Sequence, residues 1–292
     1  MTLELFDPTA DVAPRMDSRT IISENRQPVL GRIGSLETRL ASSRQEIEAA
    51  QAIRYSVFVE EMGAELPAEA MRARRDFDAF DDICDHLIVL DTAIDGDAPE
   101  QIVATYRLLR QDVAMRHSGF YSASEFDIAP LIARHPDKKF MELGRSCVLP
   151  PYRTKRTVEL LWQGNWAYAL KHGLNVMFGC ASFPGRVPEL HALALSFLHH
   201  NVLAKDVWAV TALEPHGCTM DLMPEEAVNA KRALSTMPPL IKGYLRLGAM
   251  VGNGAVVDHA FGTTDVLVVL PIESISSRYI NYYGADAQRF AC

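Results

Sequence analysis

The chain has 292 residues, 48% hydrophobic and 23% charged, a balance that predicts a water-soluble protein with a substantial core. Its net charge of -8 excludes nucleic acid as the main partner, because phosphate binding needs clustered Lys and Arg. The five cysteines contain no CxxC pair, which disfavours a zinc site or a secreted disulfide framework and favours a reducing cytoplasm.

The N-terminal segment, residues 1–31, contains Pro8, Pro14 and Pro28 and shows no helical or strand period. We predict an extension of uncertain order that lacks the apolar core of a signal peptide. No later apolar run reaches the roughly 20 residues that span a bilayer, so any membrane contact is expected to be peripheral. Residues 32–292 are predicted to form a single domain.

The first elements of this domain are a strand and a helix. Alternating apolar residues over 36–40 predict the strand, and helical spacing over 42–61 predicts the helix, with Ser42 or Ser43 as its N-cap. Two β-rich runs then flank the turn-forming Asp95-Gly96-Asp97 and predict an antiparallel hairpin. These two runs cover residues 86–91 and 101–109.

The second half alternates strands with helices, which predicts an α/β sheet domain. Strands are predicted over 140–149, 175–181 and 265–270. Helices are predicted over 158–172, 187–200 and 224–234. Pro150-Pro151, Gly173 and Phe183-Pro184-Gly185 are expected to interrupt these elements. The last strand is expected to complete the sheet, because it needs a partner for its backbone.

The segment Glu142–Thr157 joins a strand to a basic, hydroxyl-rich turn that opens a helix. Backbone N–H groups and the positive helix end attract an anion at such a turn, so it is a candidate phosphate site. The alternative is an ordinary solvated charge cluster. The candidate binding residues are Arg153, Thr154, Lys155, Arg156 and Thr157.

This strand, turn and helix resemble the GNAT acyltransferase superfamily, whose members bind the diphosphate of coenzyme A at the motif Q/R-x-x-G-x-G/A. Arg153 matches the first position, but Arg156 and Val158 replace the two small residues. The mismatch disfavours tight binding of a diphosphate. A carrier-protein donor presents one phosphate, and extra cations suit an acidic acyl carrier protein.

A second resemblance is to the acyl-homoserine lactone synthases, which share the GNAT fold and use acyl carrier protein. It rests on four short motifs in the same order. These are Arg54–Phe58, Asp78–Asp81, Arg107 and Glu142–Arg145.

The most extensive resemblance covers residues 31–284 and is to the ornithine lipid synthases. It rests on Arg54–Glu61, Glu142–Arg145, Pro238–Gly248 and Arg278-Tyr279. It implies an α/β (α+β) fold with a GNAT-like, mixed, mainly antiparallel sheet flanked by helices and with additional C-terminal helical elements. The implied reaction moves a 3-hydroxyacyl group from acyl carrier protein to the α-amine of L-ornithine, giving lyso-ornithine lipid.

The resemblance also implies the partners and the place of the reaction. The phosphopantetheine thioester of acyl carrier protein would be a co-substrate, and no tightly bound cofactor is expected. A cytoplasmic protein, with or without peripheral contact to the inner membrane, fits this chemistry. The alternatives are an acyl-homoserine lactone synthase, a coenzyme A dependent N-acetyltransferase, or a non-enzymatic hemolysin-like membrane protein.

Amide formation needs a base, because the attacking amine must lose a proton. Glu142, on a central strand, is the candidate; the alternative is an ion pair with Arg107 or Arg145 that only fixes the strand. Backbone N–H groups over residues 146–149 are candidate donors to the oxyanion. Cys147 and Cys180 are expected to be core residues rather than nucleophiles.

Ornithine carries a carboxylate and a second ammonium, so its site needs an arginine and a spare carboxylate. The resemblance implies substrate binding by Arg54, Asp78, Asp81, Arg107 and Arg145. The alternative is a buried polar network that ties the first helix to the sheet.

Two further features are ambiguous. His199-His200 is not expected to bind a metal, because no third ligand is placed nearby in the sequence. The amphipathic stretch 238–251 is predicted to line an acyl channel, to rest on a membrane or, in the plainer alternative, to pack as a core helix.

Overall fold

The computed structural model describes residues 27–276 and Tyr279. Its strands are β1 (Gly31–Ile33), β2 (Leu36–Leu40), β3 (Asp85–Asp91), β4 (Ile102–Arg110), β5 (Phe140–Val148), β6 (Val176–Pro184), β7 (Gly217–Cys218), β8 (Met250–Val251), β9 (Ala255–Asp258) and β10 (Thr263–Pro271). Its α-helices are α1 (Arg44–Tyr55), α2 (Ala68–Ala73), α3 (Ala98–Gln101), α4 (Gln111–Ala114), α5 (Ile128–Ala133), α6 (Lys155–His172), α7 (Ala192–Val202), α8 (Ala230–Thr236) and α9 (Pro239–Arg246).

The strands form one sheet in the order β1-β2-β3-β4-β5-β6-β10-β9-β7, and β8 pairs with β10. Neighbours are antiparallel except for β5 and β6. This confirms the expected mixed, mainly antiparallel sheet and the expected role of the last strand in completing it. The extension predicted for residues 1–31 lies mostly outside the described residues, but Leu30 and Gly31 belong to the fold, and Leu30 is buried.

The two central strands separate after a short parallel ladder. This ladder runs only from the pair Phe140 and Val176 to the pair Glu142 and Phe178. A Cβ atom at Gly179 would overlap the carbonyl oxygen of the next β5 residue, Leu143, so only glycine allows this close approach. Beyond it, among residues 27–276, β6 pairs with β10 and no longer with β5, which leaves a gap in the sheet.

A β-bulge lies on β5 beside this gap. Thr105 of β4 is opposite Cys147, and Arg107 is opposite Gly144, so β5 carries one extra residue. The extra residue falls at Arg145, whose φ of 50° is in the left-handed region. The bulge therefore directs the Arg145 backbone away from the regular ladder.

Each face of the sheet carries its own core. Helix α6 packs on one face, where Gly164 allows the Leu87 side chain of β3 to approach. Phe126, Phe140 and Phe178 form the centre of the core on the other face, under α5. Because side chains alternate along a strand, neighbouring residues at the gap belong to opposite faces.

Most predicted elements are confirmed with shifted ends, but the helix predicted over 224–234 begins only at Ala230, after a 3-10 turn over Glu225–Ala227. Ser43 is the N-cap of α1 and accepts a hydrogen bond from Glu46 N–H at 3.2 Å, and the predicted helix continues as a π-helical turn over Ser56–Glu61. The break predicted at Phe183-Pro184 is wrong, because both residues belong to β6. Pro184 is the last residue of its strand, a position at which a missing N–H is tolerated.

Candidate active site

A cavity of about 980 Å³ occupies the gap between β5 and β6. Its wall includes Leu143, which packs in the core under α6, and Glu142, which points to the opposite face. The cavity therefore passes through the sheet. The sequence-predicted residues that line it are Arg107, Glu142, Arg145, Arg153, Thr154 and Lys155. Those that do not are Arg54, Asp78, Asp81, Arg156 and Thr157.

Glu142 lies where β5 and β6 separate and is 4% exposed. Its carboxylate accepts hydrogen bonds from the backbone N–H groups of Tyr121 (2.8 Å) and Ser122 (2.7 Å) and from the Ser122 hydroxyl. Burial raises the pKa of Glu142, although these hydrogen bonds and the charge of Arg107 oppose the rise. A desolvated carboxyl with a raised pKa is suited to accept a proton.

Arg54 is fully buried at the end of α1 and contacts two aspartates of the following loop. Its Nε lies 2.9 Å from Asp76 Oδ2, and its Nη2 lies 2.8 Å from Asp81 Oδ1. Burial acts to raise the pKa of Asp81, but the charges of Arg54 and Arg107 outweigh it and hold that pKa below the usual value. The loop is thus fastened to the helix by paired charges.

Two further arginines join these aspartates from the sheet. Arg107 Nη1 lies 2.6 Å from Asp78 Oδ1 and 3.3 Å from Asp81 Oδ2. Arg145 Nε lies 3.3 Å from Asp76 Oδ2, and its Nη2 lies 3.4 Å from Asp78 Oδ2. Three arginines therefore meet three aspartates, and their formal charges cancel. We call this the Arg–Asp network: Arg54, Asp76, Asp78, Asp81, Arg107 and Arg145.

The network touches the cavity only through its sheet residues. Arg107 and Arg145 line the wall, and the Arg145 guanidinium lies over the rings of Tyr121 and Phe261, at 4.7 and 4.3 Å from their centroids. Arg54 is fully buried and does not line the cavity. The arrangement matches the alternative predicted from the sequence, a polar network that ties the first helix and its loop to the sheet.

The basic turn forms the N-terminal end of α6. Thr154 is the N-cap and accepts a hydrogen bond from Thr157 N–H at 3.4 Å. Arg153 makes a bidentate ion pair with Glu61 of the π-helical turn, with N–O distances of 2.6 and 2.5 Å. Since Glu61 neutralises Arg153, the free positive charge of the turn belongs to the exposed Lys155 and Arg156.

An apolar wall lies on the α6 side of the cavity. It is formed by Leu161 and Trp162 of α6 together with Leu240 of α9 and Leu247, which follows it. The buried Tyr244 of α9 shares a hydrogen bond of 2.8 Å with the Tyr106 hydroxyl. The core packing predicted as the plainer alternative for residues 238–251 is confirmed for one side of α9, and the other side faces the cavity. The acyl channel and the membrane contact stay predictions.

Three carboxylates that the sequence did not single out meet on the opposite side. The ligand oxygens of Glu125, Asp258 and Asp265 all lie within 4.8 Å of one another. Burial raises the pKa of Glu125 to about 7, and repulsion from Asp265 and Asp258 adds to this shift. Burial also raises the pKa of Asp265 to about 6, with added repulsion from Asp258, while the charge of Arg145 opposes both shifts. We call these three residues the acidic cluster.

The cysteines near the gap hold their protons. Burial raises the pKa of Cys147 to about 12 and that of Cys180 well above its usual value. The Cys147 thiol donates to the Ile53 carbonyl, and the Cys180 thiol donates to Glu125 Oε2 at 3.1 Å. These contacts agree with the expectation that both thiols are structural.

The chain matches the model of the acetyltransferase (GNAT) domain over residues 53–163. It is 68% identical to the L-ornithine N(alpha)-acyltransferase of Rhizobium meliloti (strain 1021) over 292 residues, 100% of this chain and 99% of that protein. It is 66% identical to the enzyme of the same name from Agrobacterium fabrum (strain C58) over 95% of this chain and 94% of that one.

The chain belongs to the L-ornithine N(alpha)-acyltransferase family. Its fold also aligns with FeeM, an N-acyl amino acid synthase from uncultured soil microbes, at a TM-score of 0.46 and 11% identity, over 82% of this chain and 91% of that chain. As an acyltransferase with a GNAT domain, it transfers an acyl group to an amine, and the cavity between β5 and β6 lies within the sheet of this domain.

One residue of the last family motif, Arg278-Tyr279, falls among the described residues. Arg278 of the last family motif lies outside the described residues, whereas Tyr279 lines the cavity.

His199 and His200 have an acidic neighbour that is distant in the sequence. The fold places the Asp221 carboxylate 4.0 Å from His199 Nε2 and 3.4 Å from His200 Nε2. Within the described residues, no helix is long and apolar enough to cross a membrane.

Proposed function

We propose that this acyltransferase moves a 3-hydroxyacyl group from the phosphopantetheine thioester of acyl carrier protein to the α-amine of L-ornithine, giving lyso-ornithine lipid. The observation that carries the proposal is one cavity that joins a basic helix terminus, an apolar wall and a buried carboxylate across the sheet. We propose that the enzyme works without a tightly bound cofactor. We also propose that it is cytoplasmic with peripheral contact to the inner membrane, because the product is a membrane lipid.

The donor is assigned to the α6 end of the cavity. A helix of 18 residues places its positive N-terminal end there, and Lys155 and Arg156 add two full charges. An acidic carrier protein would be attracted to this surface, and its single phosphate needs no glycine-rich loop. The apolar wall along Trp162 and Leu240 gives the acyl chain a dry surface.

The chemistry is a direct transfer. The amine nitrogen attacks the thioester carbonyl, the new C–N bond forms, the C–S bond breaks, and the pantetheine thiol leaves with a proton. We assign Glu142 as the base that takes the proton of the amine, since burial raises its pKa. Arg145 and Ser146 of the bulge line the cavity, and we assign their backbone N–H groups to the oxyanion. We assign the Arg107 and Arg145 guanidiniums to the acceptor carboxylate.

The test is mass spectrometry of products formed from 3-hydroxyacyl carrier protein and ornithine. Parallel reactions replace the donor by acyl coenzyme A, or the amine by lysine or S-adenosylmethionine. A product with the mass of ornithine plus the acyl acid minus water supports the proposal. Turnover only with another amine or only with coenzyme A would discard the proposed substrate while keeping the enzyme class.

We expect Glu142→Gln to lower kcat by about 100-fold or more, the usual contribution of a general base. The circular dichroism spectrum should stay unchanged, because Gln keeps an acceptor oxygen for Ser122. Glu226→Gln, which removes one exposed carboxylate elsewhere, is the matched control. Full turnover of Glu142→Gln across the pH range would remove the assignment.

We expect Lys155→Gln combined with Arg156→Gln to raise the KM for the carrier-protein donor by about tenfold and to flatten its salt dependence, since both charges steer the donor. Lys205→Gln, at an exposed site outside the cavity, is the control. An unchanged salt dependence would place carrier-protein docking elsewhere.

A further inference from the structure

The acidic cluster differs from every other group of buried charges near the cavity, because it contains no cation. Among the described residues, neither Glu125, Asp258 nor Asp265 forms an ion pair with an arginine, lysine or histidine. Asp258 Oδ1 accepts hydrogen bonds from the N–H groups of Ala260 (2.8 Å) and Phe261 (3.0 Å), which fix its position. Carboxylates held this close together repel one another unless a proton or a cation lies between them.

A carboxylate oxygen of the cluster is buried without a close donor. Asp265 is 6% exposed, and no donor within the described residues meets hydrogen-bond geometry at its Oδ1. The hydroxyls of Thr263, which is 4% exposed, and of Ser182 act on the Asp265 carboxyl and limit the rise of its pKa. Asp265 and Thr263 belong to β10 and line the cavity. Buried carboxylate oxygens are normally hydrogen-bonded, so the open Oδ1 on this wall indicates a ligand that donates.

The sheet register places this cluster next to the proposed reaction centre. Glu142 is opposite Phe178, and Cys180, two residues further along β6 on the same face, donates its thiol hydrogen to Glu125. Two residues of a strand span roughly 7 Å. Asp265 is opposite Ser182, the next residue of β6 on that face. The cluster thus continues from the base along the same face of β6.

We propose that Glu125, Asp258 and Asp265 bind the side-chain ammonium of a diamino acid acceptor, with the Thr263 hydroxyl as an additional acceptor. This inference rests on the proposed function. An alkylammonium carries three N–H donors that suit these carboxylate and hydroxyl acceptors, and its positive charge offsets part of the negative charge of the cluster. Asp78 and Asp81 are less suited to this role, because each already faces an arginine.

The arrangement explains how one amine is acylated and the other is spared. An ammonium bound between carboxylates keeps its proton and is not nucleophilic. The amine near Glu142 loses its proton and reacts. The acidic cluster would therefore determine both the choice of a cationic acceptor and the position of the new amide.

The test compares L-ornithine with L-norvaline, which has the same carbon chain without the terminal amine, using one acyl carrier protein donor. Asp265→Asn and Asp258→Asn keep the side-chain shape and are expected to lower kcat/KM for ornithine about 10- to 100-fold, mainly through KM. Activity with norvaline should stay within about threefold of the wild type. Asp127→Asn, which removes an exposed carboxylate outside the cavity, should change neither substrate.

An equal loss with both amines would assign the aspartates a structural role and overturn the inference. So would turnover that is abolished by a chelator and restored by Mg²⁺, because the cluster would then hold a metal. Titration calorimetry of both amino acids gives an answer without chemistry. If Asp265→Asn weakens ornithine binding, the result supports the inference even when no acyl product forms. In that case only the proposed function fails. No preference of the wild type for ornithine over norvaline overturns the inference itself.

Discussion

The Arg–Asp network and the acidic cluster both contain buried or half-buried carboxylates but have opposite charge balance. In the network each aspartate faces an arginine, and the pKa of Asp81, which lies 2.8 Å from Arg54, is lowered. In the cluster the carboxylates face one another, and the pKa of Glu125 rises to about 7. Removing one partner from a buried pair leaves an uncompensated charge, whereas carboxylates that face one another lower stability unless a proton or a cation lies between them.

The largest effect is expected in the network. Arg54→Met should lower the free energy of unfolding by about 3–5 kcal/mol, because Asp76 and Asp81 would stay buried without their main cation. Urea unfolding at pH 7 measures the loss. Arg44→Met, at a side chain 85% exposed, is the control and should change stability by less than about 0.5 kcal/mol. A comparably small loss for Arg54→Met would mean that the network does not stabilise the fold.

A smaller effect of opposite character is expected in the cluster. The folded-state pKa of Glu125 is raised from 4.5 to about 7, so the folded protein binds this proton more tightly than the unfolded chain does. The stability that this proton contributes is therefore fully present below the pKa of the unfolded chain, and it is lost as the pH rises to about 7. Glu125→Gln removes this loss and should gain on the order of 2 kcal/mol over the wild type between pH 5 and pH 8.

Unfolding of both proteins across that pH range measures the difference. Asp81→Asn should show the reverse trend, because a lowered pKa contributes stability above the usual pKa of the carboxyl and loses it as the pH falls. Parallel pH profiles for the wild type and Glu125→Gln would mean that the cluster is not strained by its own charge.

The smallest effect is expected at the exposed pair of Arg153 and Glu61, whose side chains are 44% and 40% exposed. Arg153→Gln should change the free energy of unfolding by less than about 1 kcal/mol, and added salt should reduce the difference further. Chemical unfolding at two salt concentrations tests this. A loss as large as that of Arg54→Met would show that exposure does not distinguish the two arginines.

Local patterns predict much of this fold. The period of α6 and the turn residues between β3 and β4 are visible in the sequence, and the strand that carries Glu142 and Arg145 brings both side chains to the cavity. Elements of two residues, such as β7 and β8, have too few residues for a period. The predicted hairpin turn at Asp95–Asp97 also gave no sign of the short helix α3 that follows it.

The acidic cluster had no comparable signal. Glu125 follows a short turn, while Asp258 and Asp265 are more than a hundred residues further along the chain, so only the pairing of β10 with β6 and β9 brings them together. The excess of negative charge in the cluster therefore arises from the tertiary fold and is not visible in the sequence.

The order of strands in the sheet has a consequence for how the chain is made. Strands β1 to β6 are neighbours in both sequence and space, so they can pair as they emerge during synthesis. The outer edge of β6 then stays unpaired until β10, which begins at Thr263, has been synthesised. Until that strand arrives, Val176–Pro184 presents an apolar, unpaired edge of the kind that aggregates. Truncation before Thr263 should therefore give insoluble protein rather than a smaller, soluble enzyme.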